Sequence, residues 1–289
     1  MTNQNSNNGA SRPISHIVIP QHVVDGAGVK LRRSIMPMRS NDYDPFLLLD
    51  HFYFDDPLQG PISGFPMHPH RGIETVTYML EGATHHRDSL GNAGLIGPGD
   101  IQWMTSGRGI MHEEMPRQDS NGKVNGLQLW VNLPAALKMT TPRYQEVGTT
   151  TIPSVTKDGV TVRVVAGEVW ETSGPVTEIA AHPLYLDVSL SPGTSFVQAV
   201  PRGHTALAYL LEGAGRFGSQ EELVEAVRMV AFADGDHIEV QSDAGVRFLL
   251  IAGAPFGEPI VPYGPFVMNT VEEIKQAFYE LQTGTFIKP

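Results

Sequence analysis

The chain contains no cysteine. Disulfides, zinc–thiolate sites and thiol nucleophiles are thereby excluded, because each needs a sulfhydryl sulfur. Basic charge is also scarce: 20 Lys and Arg stand against 31 Asp and Glu, a formal net charge of −11. Nucleic acids and anionic membrane surfaces are held by basic patches, so direct binding to either is not expected. No apolar run approaches the roughly 18–20 residues of a membrane-spanning helix. The segment from Met1 to Ala10 is polar and Asn-rich, without the basic-then-apolar order of a secretory signal. It reads as the start of a disordered tail over 1–14, and a cytoplasmic location is the expectation. What the chain has in quantity is turn formers: 30 Gly and 22 Pro in 289 residues, with 41% hydrophobic content. That combination suits short strands around a sizeable core, in one large or two ordinary domains.

Two segments carry metal-binding chemistry, His68-Pro69-His70 and His112-Glu113-Glu114. Imidazole and carboxylate are the side chains that hold a borderline divalent metal. In a β-strand residues i and i+2 share a face, so His68 projects with His70 and His112 with Glu114. Two such strands meeting in a barrel predict a three-His, one-carboxylate site with room for a substrate. Spacing alone leaves two carboxylates open, since Glu74 shares the parity of His68 and His70. Glu113 points away and reads as a surface charge. His85 and His86 read as a solvated loop, which at a barrel mouth could also touch substrate, and Arg71 and Arg108 as either structural groups or anchors for substrate anions.

The surrounding order supports strands. Ile73 to Met79 is β-branched and aromatic-rich, and ends at Glu81-Gly82. Gly97-Pro98-Gly99-Asp100 is a turn, followed by Ile101-Gln102-Trp103-Met104-Thr105 and the Gly-rich Ser106-Gly107-Arg108-Gly109. His-x-His, strand, hairpin, strand, turn, strand and Gly-x-Gly-x-x-His together resemble the cupin motif pair. A closer likeness follows. Residues 68–82, 98–115 and 126–134, with Asp44–Asp50 and Lys138, Met139 and Pro142–Gln145, resemble the pirin family.

An internal repeat bears on the architecture. Tyr78-Met79-Leu80-Glu81-Gly82 aligns with Tyr209-Leu210-Leu211-Glu212-Gly213, and Pro98-Gly99-Asp100 with Asp234-Gly235-Asp236. The predicted fold is all-β: two tandem cupin (double-stranded β-helix, jelly-roll) barrels with a short C-terminal helix. The expected division is a metal-binding barrel over 15–145 and a metal-free barrel over 146–289. By these offsets Ala199, Pro201, Phe248 and Leu250 replace the four ligands in the second barrel. For the helix, Thr270 is the N-cap, Glu273 completes a capping box and Gly284 ends it.

The pirin resemblance implies more than the residues do. It favours Glu114 over Glu74 as the carboxylate ligand, giving the set His68, His70, His112 and Glu114. Glu74 is then expected beside the site, as an acid that supports the ligands or faces the substrate; the plainer reading is a buried, hydrogen-bonded strand residue. The resemblance further implies an iron(II) cofactor and a quercetin 2,3-dioxygenase-like reaction of a flavonol or related enol with dioxygen. Glu114, or Glu74, is the expected general base. The alternative it carries is a metal-dependent regulator acting through a protein partner.

Overall fold

The computed structural model describes residues 9–54, 64–219 and 222–288. They form two compact β-rich units, and the chain is interleaved between them. No helix among the described residues is long and apolar enough to cross a membrane.

One unit comprises Pro20–Ile152, Pro175–His182 and Pro255–Pro289. Its larger sheet has the antiparallel order Arg143–Val147, Ile101–Thr105, Ile73–Glu81, Val124–Asn132, Phe46–Phe54, Val29–Ile35, Gln21–Asp25. Its smaller sheet has the order Phe65–His70, Ile110–Arg117, Ala83–Asp88, Ala93–Ile96. The central strands of the larger sheet are covered on both faces. Ile73 to Met79 is therefore buried at every residue, which explains its apolar, β-branched run. The smaller sheet alternates instead, with Thr84, His86 and Asp88 buried on Ala83–Asp88. The helix Val271–Gln282 is present with Thr270 as its cap and the Glu273 capping box. Its buried Ile274 and Ala277 pack with Val261, Phe266, Met268 and Phe286.

The other unit comprises Met1–Ile19, Pro153–Gly174 and Pro183–Ala254. Its main ladder runs Ile14–Val18, Met229–Phe232, Thr205–Phe217, Val246–Gly253, Leu184–Leu190, Val160–Ala166, Ser154–Lys157. Phe196, Phe217, Ile238, Val240, Phe248 and Leu250 share one apolar core.

Three expectations are corrected here. The compact units do not divide at a single cut near residue 145. The strand Ile14–Val18 completes the edge beside Met229–Phe232, while residues 255–289 belong with 20–152. Exposed strand edges need a partner, and here the N-terminal strand supplies one. For the expected tail over 1–14, residues 1–8 lie outside the described residues. Arg12 is buried, with its guanidinium donating to the carbonyls of His204 and Pro201. The repeat's second offset also shifts. Thr205–Phe217 has Met229–Phe232 and Val246–Gly253 as neighbours, as Ile73–Glu81 has Ile101–Thr105 and Val124–Asn132. The topological counterpart of Ile110–Arg117 is therefore His237–Ser242, paired with Thr194–Ala199. The buried positions of that pair are Phe196, Gln198, His237, Ile238, Val240 and Ser242; Phe248 and Leu250 sit on a different strand. The loops of the two halves differ in length, so a shared Gly-Asp turn does not mark equivalent places.

Candidate metal centre

The His-x-His strand Phe65–His70 and the His-x-Glu strand Ile110–Arg117 are antiparallel neighbours, with His112 opposite His68 and Ile110 opposite His70. Side chains on one face of such a pair are cross-strand neighbours. His68 Nε2 and His70 Nε2 lie 3.1 Å apart. The His112 ring centre is 4.4 Å from that of His68 and 5.0 Å from that of His70. One ligand atom from each of the three imidazoles lies within 4.8 Å of the others.

Backbone carbonyls orient two of these rings. His68 Nδ1 is 2.8 Å from the Pro66 oxygen, and His70 Nδ1 is 3.1 Å from the Pro265 oxygen. A carbonyl can only accept, so each Nδ1 carries the proton and each Nε2 keeps its lone pair. His112 is buried and neither of its ring nitrogens has a hydrogen-bond partner among the described residues. Burial lowers the pKa of all three, that of His70 to about 3. They remain neutral imidazoles at physiological pH, the form that binds a metal.

Glu114 follows on the same strand, past a register shift. Its carboxylate is buried and reaches the larger sheet: Oε1 accepts from the Thr77 hydroxyl at 2.8 Å, and Gln128 Nε2 stands 3.4 Å from Oε2. It lies outside the group of three whose ligand atoms share the 4.8 Å limit. Burial pushes its carboxyl up to about 7.

That shift has a stability consequence. A carboxyl whose folded pKa exceeds its unfolded value costs nothing below the unfolded value and its full amount above the folded one. The metal-free protein is thus penalised as pH rises from about 4.5 to about 7, by roughly 3 kcal/mol at most. Metal-free Glu114→Gln lacks this ionisation. Thermal denaturation of both metal-free proteins should show the variant gaining on the wild type between pH 5 and pH 8. Parallel pH profiles would count against the buried carboxyl as the cause.

Glu74 is placed elsewhere than expected. It pairs with Thr105 in unbroken register up to Tyr78–Ile101, so it lies on the opposite face of its strand from Thr77. Trp103 Nε1 and the Thr105 hydroxyl donate to its two oxygens at 3.0 and 2.7 Å. The parity linking Glu74 to His70 is broken at Gly72, where φ is +78° and the chain passes from one sheet to the other. A Cβ at Gly72 would strike the Val267 carbonyl. Glu74 is therefore the buried, hydrogen-bonded strand residue of the plainer reading, and it is not among the residues that line the cavity.

His86 sorts differently from the sequence expectation, and Arg71 takes the structural one of its two readings. His86 is a buried residue on the inner face of a strand. No apolar alternation marks that strand, because its inward residues are Thr84, His86 and Asp88. Arg71 is buried: Nε donates to the Arg108 carbonyl at 2.6 Å, Nη2 to Glu280 at 2.5 Å, and its guanidinium sits 4.4 Å over Phe286. Lys138 is buried, with Nζ donating to the carbonyls of Gly72 and Val267 and to Asn132 Oδ1. It anchors the Gly72 turn, and burial lowers its pKa to about 7.

A cavity of about 520 Å³ opens beside the imidazoles, with His68, His70 and Glu114 on its wall. Leu31, Leu48, Phe52 and Trp130 make its apolar side. Arg33 supplies a polar edge, with Nε and Nη2 donating to the two Asp50 oxygens at 2.8 and 2.7 Å, and Nη2 also to Asp25 at 2.7 Å.

The chain matches the pirin family model over residues 28–131, and the model for the pirin C-terminal cupin domain over residues 185–287. The chain belongs to the pirin family. A pirin-like protein of Caulobacter vibrioides is 47% identical over 277 residues, covering 95% of this chain and 99% of that protein. A Pseudomonas aeruginosa relative, provisionally named a quercetin 2,3-dioxygenase, is 43% identical over 266 residues, covering 90% and 93%. A crystal structure of quercetin 2,3-dioxygenase from Acinetobacter baumannii matches with a TM-score of 0.87 at 34% identity, covering 96% of this chain and 99% of that one. As a pirin, the chain has the all-β, tandem cupin fold with one C-terminal helix. All three clustered histidines and Glu114 lie inside the first matched pirin segment.

Proposed function

We propose that this pirin-family chain is a metal-dependent dioxygenase of the quercetin 2,3-dioxygenase type. Its metal is iron(II), held by His68, His70, His112 and Glu114, and its substrates are a flavonol or related enol and dioxygen. The observation that carries the reading is three clustered neutral imidazoles, two of which, His68 and His70, stand with a buried carboxyl on the wall of an aromatic-sized cavity. The residues fit a metal. His112 presents buried nitrogens with no partner among the described residues, which a buried polar group rarely tolerates without a reason. Imidazole and carboxylate are the donor set of non-haem iron.

When bound, iron(II) supplies a Lewis-acidic, redox-active centre with positions beyond those filled by four side chains. The side chains do the rest. Three neutral imidazoles and one carboxylate leave a divalent site with a net charge of about +1, suited to an enolate. Glu114, with a carboxyl near neutrality in the metal-free protein, is the base that takes the 3-hydroxyl proton of a flavonol. Trp130, Phe52, Leu31 and Leu48 offer flat apolar surface to the rings. Arg33 and Asp25 offer a donor and an acceptor to ring hydroxyls at the cavity edge. In this reaction class a flavonol and dioxygen yield the ring-opened ester and carbon monoxide.

The test is anaerobic purification with metal analysis, followed by oxygen uptake against a flavonol panel. One metal per chain and flavonol-dependent uptake with carbon monoxide release are expected. Glu114→Gln should lower turnover by about a hundredfold, the usual scale of general-base catalysis, and metal content far less. A metal-loaded protein that consumes no oxygen with any flavonol, yet binds a protein partner only when metal is present, would replace this reading with a regulatory one.

A further inference from the structure

Two imidazoles among the described residues have both ring nitrogens buried and without a hydrogen-bond partner: His112 and His86. A buried polar atom left unpaired loses its hydration with nothing in exchange, so each case calls for a cause. For His112 the proposed metal is the cause. His86 needs another.

The surroundings of His86 point to the metal centre. Its residue is 2% exposed and stands directly across from Glu114 on the neighbouring strand. Its ring centre is 5.5 Å from that of His112 on one side and 5.2 Å from that of Tyr144 on the other. Asp88 Oδ2 is 4.0 Å from His86 Nε2, outside hydrogen-bond reach. Thr84, two residues earlier on the same face, lines the cavity that His68, His70 and Glu114 also line. His86 itself is not among the three residues whose ligand atoms share the 4.8 Å limit.

We propose that His86 is a positioning residue of the metal centre: it hydrogen-bonds a small ligand, the size of water, azide or a diatomic, seated beside the three clustered histidines. A neutral imidazole brings one N–H donor and one lone pair, so it can hold either a proton donor or an acceptor. A small ligand steered by a second, fixed group loses fewer orientations when it reacts. The competing explanation is a structural water between His86 and Asp88, unconnected with the metal.

This inference rests on the metal reading above, and the experiment separates the two. Full-length wild type, His86→Leu, His86→Met and His86→Gln are reconstituted with cobalt(II). Azide is titrated against each by visible spectroscopy, with cobalt measured in the same samples. One cobalt per chain is expected in all four. Azide affinity should fall about tenfold in the Leu and Met variants, the scale of one hydrogen bond, and stay within about threefold of wild type in His86→Gln. His86→Met fills the site with an unbranched chain and serves if the branched Leu does not fold. Unchanged azide affinity in His86→Leu or His86→Met would make the role structural and overturn the inference. Loss of cobalt from the variants alone would make His86 a metal ligand and overturn it too. A wild type that holds no cobalt would remove the metal reading itself, and the inference with it.

Discussion

His112→Ala should abolish stoichiometric metal, taking the protein from one metal per chain to below about a tenth, and oxygen uptake should vanish with it. The reason lies in the position of His112. It stands across from His68 and packs against His68 and His70, with ring centres 4.4 and 5.0 Å away. Alanine removes the imidazole that closes the cluster and leaves two rings on one strand. Two imidazoles with one carboxylate hold a divalent ion far more weakly than three. The methyl side chain also leaves a gap in a buried layer, so folding is checked by circular dichroism alongside metal analysis. A folded variant that keeps a full metal complement would show that the ion binds elsewhere. His70→Ala should behave alike, since His70 is held by the Pro265 carbonyl with its Nε2 facing the cluster.

Glu280→Ala should destabilise the protein by about 3–5 kcal/mol, although residue 280 lies far from the histidine cluster in sequence. Arg71 and Glu280 form a buried pair at 2.5 Å, with side chains 1% and 8% exposed. Removing the carboxylate leaves a buried guanidinium without its counter-charge, which is the costly way to break such a pair. Glu280 also accepts from Gln276 and Lys288, so the end of the helix and the segment after it lose anchors as well. Arg71 directly follows His70, and its backbone carbonyl accepts from Val267. Metal affinity should therefore fall along with stability. Glu280→Gln keeps one acceptor oxygen and should cost less. Urea denaturation checks the first effect and metal titration the second. A loss under about 1 kcal/mol in Glu280→Ala would show the pair to be dispensable.

The pairing of His68 with His70 was legible because strand parity is a local property of the backbone, and the cupin-like motif order supplied the strand of His112. Two residues apart means one face, whatever the rest of the chain does. The capping box at Thr270 was legible for the same reason, since it is built from neighbours in sequence. His86 was not legible. The usual mark of a strand is apolar alternation, and Ala83–Asp88 buries Thr, His and Asp instead. Arg71 stayed open between a structural group and a substrate anchor, and Lys138 carried no role, because their partners, Glu280 and Val267, lie more than a hundred residues away.

Local pattern in the chain specifies the donor types, the pairing of imidazoles by parity, the β-rich duplicated architecture and, through its motifs, the pirin family. Spacing left two carboxylates open and the family resemblance favoured Glu114; the fold puts Glu114 on the cavity wall and Glu74 off it. Parity holds only while a strand is unbroken, and the positive-φ turn at Gly72 resets it between His70 and Glu74. Tertiary structure also decided that residues 255–289 belong to the histidine-bearing unit, where the Pro265 carbonyl orients His70 and Glu280 neutralises Arg71. Contacts across such sequence distances are set by the burial of whole sheets. No local pattern in the chain encodes them.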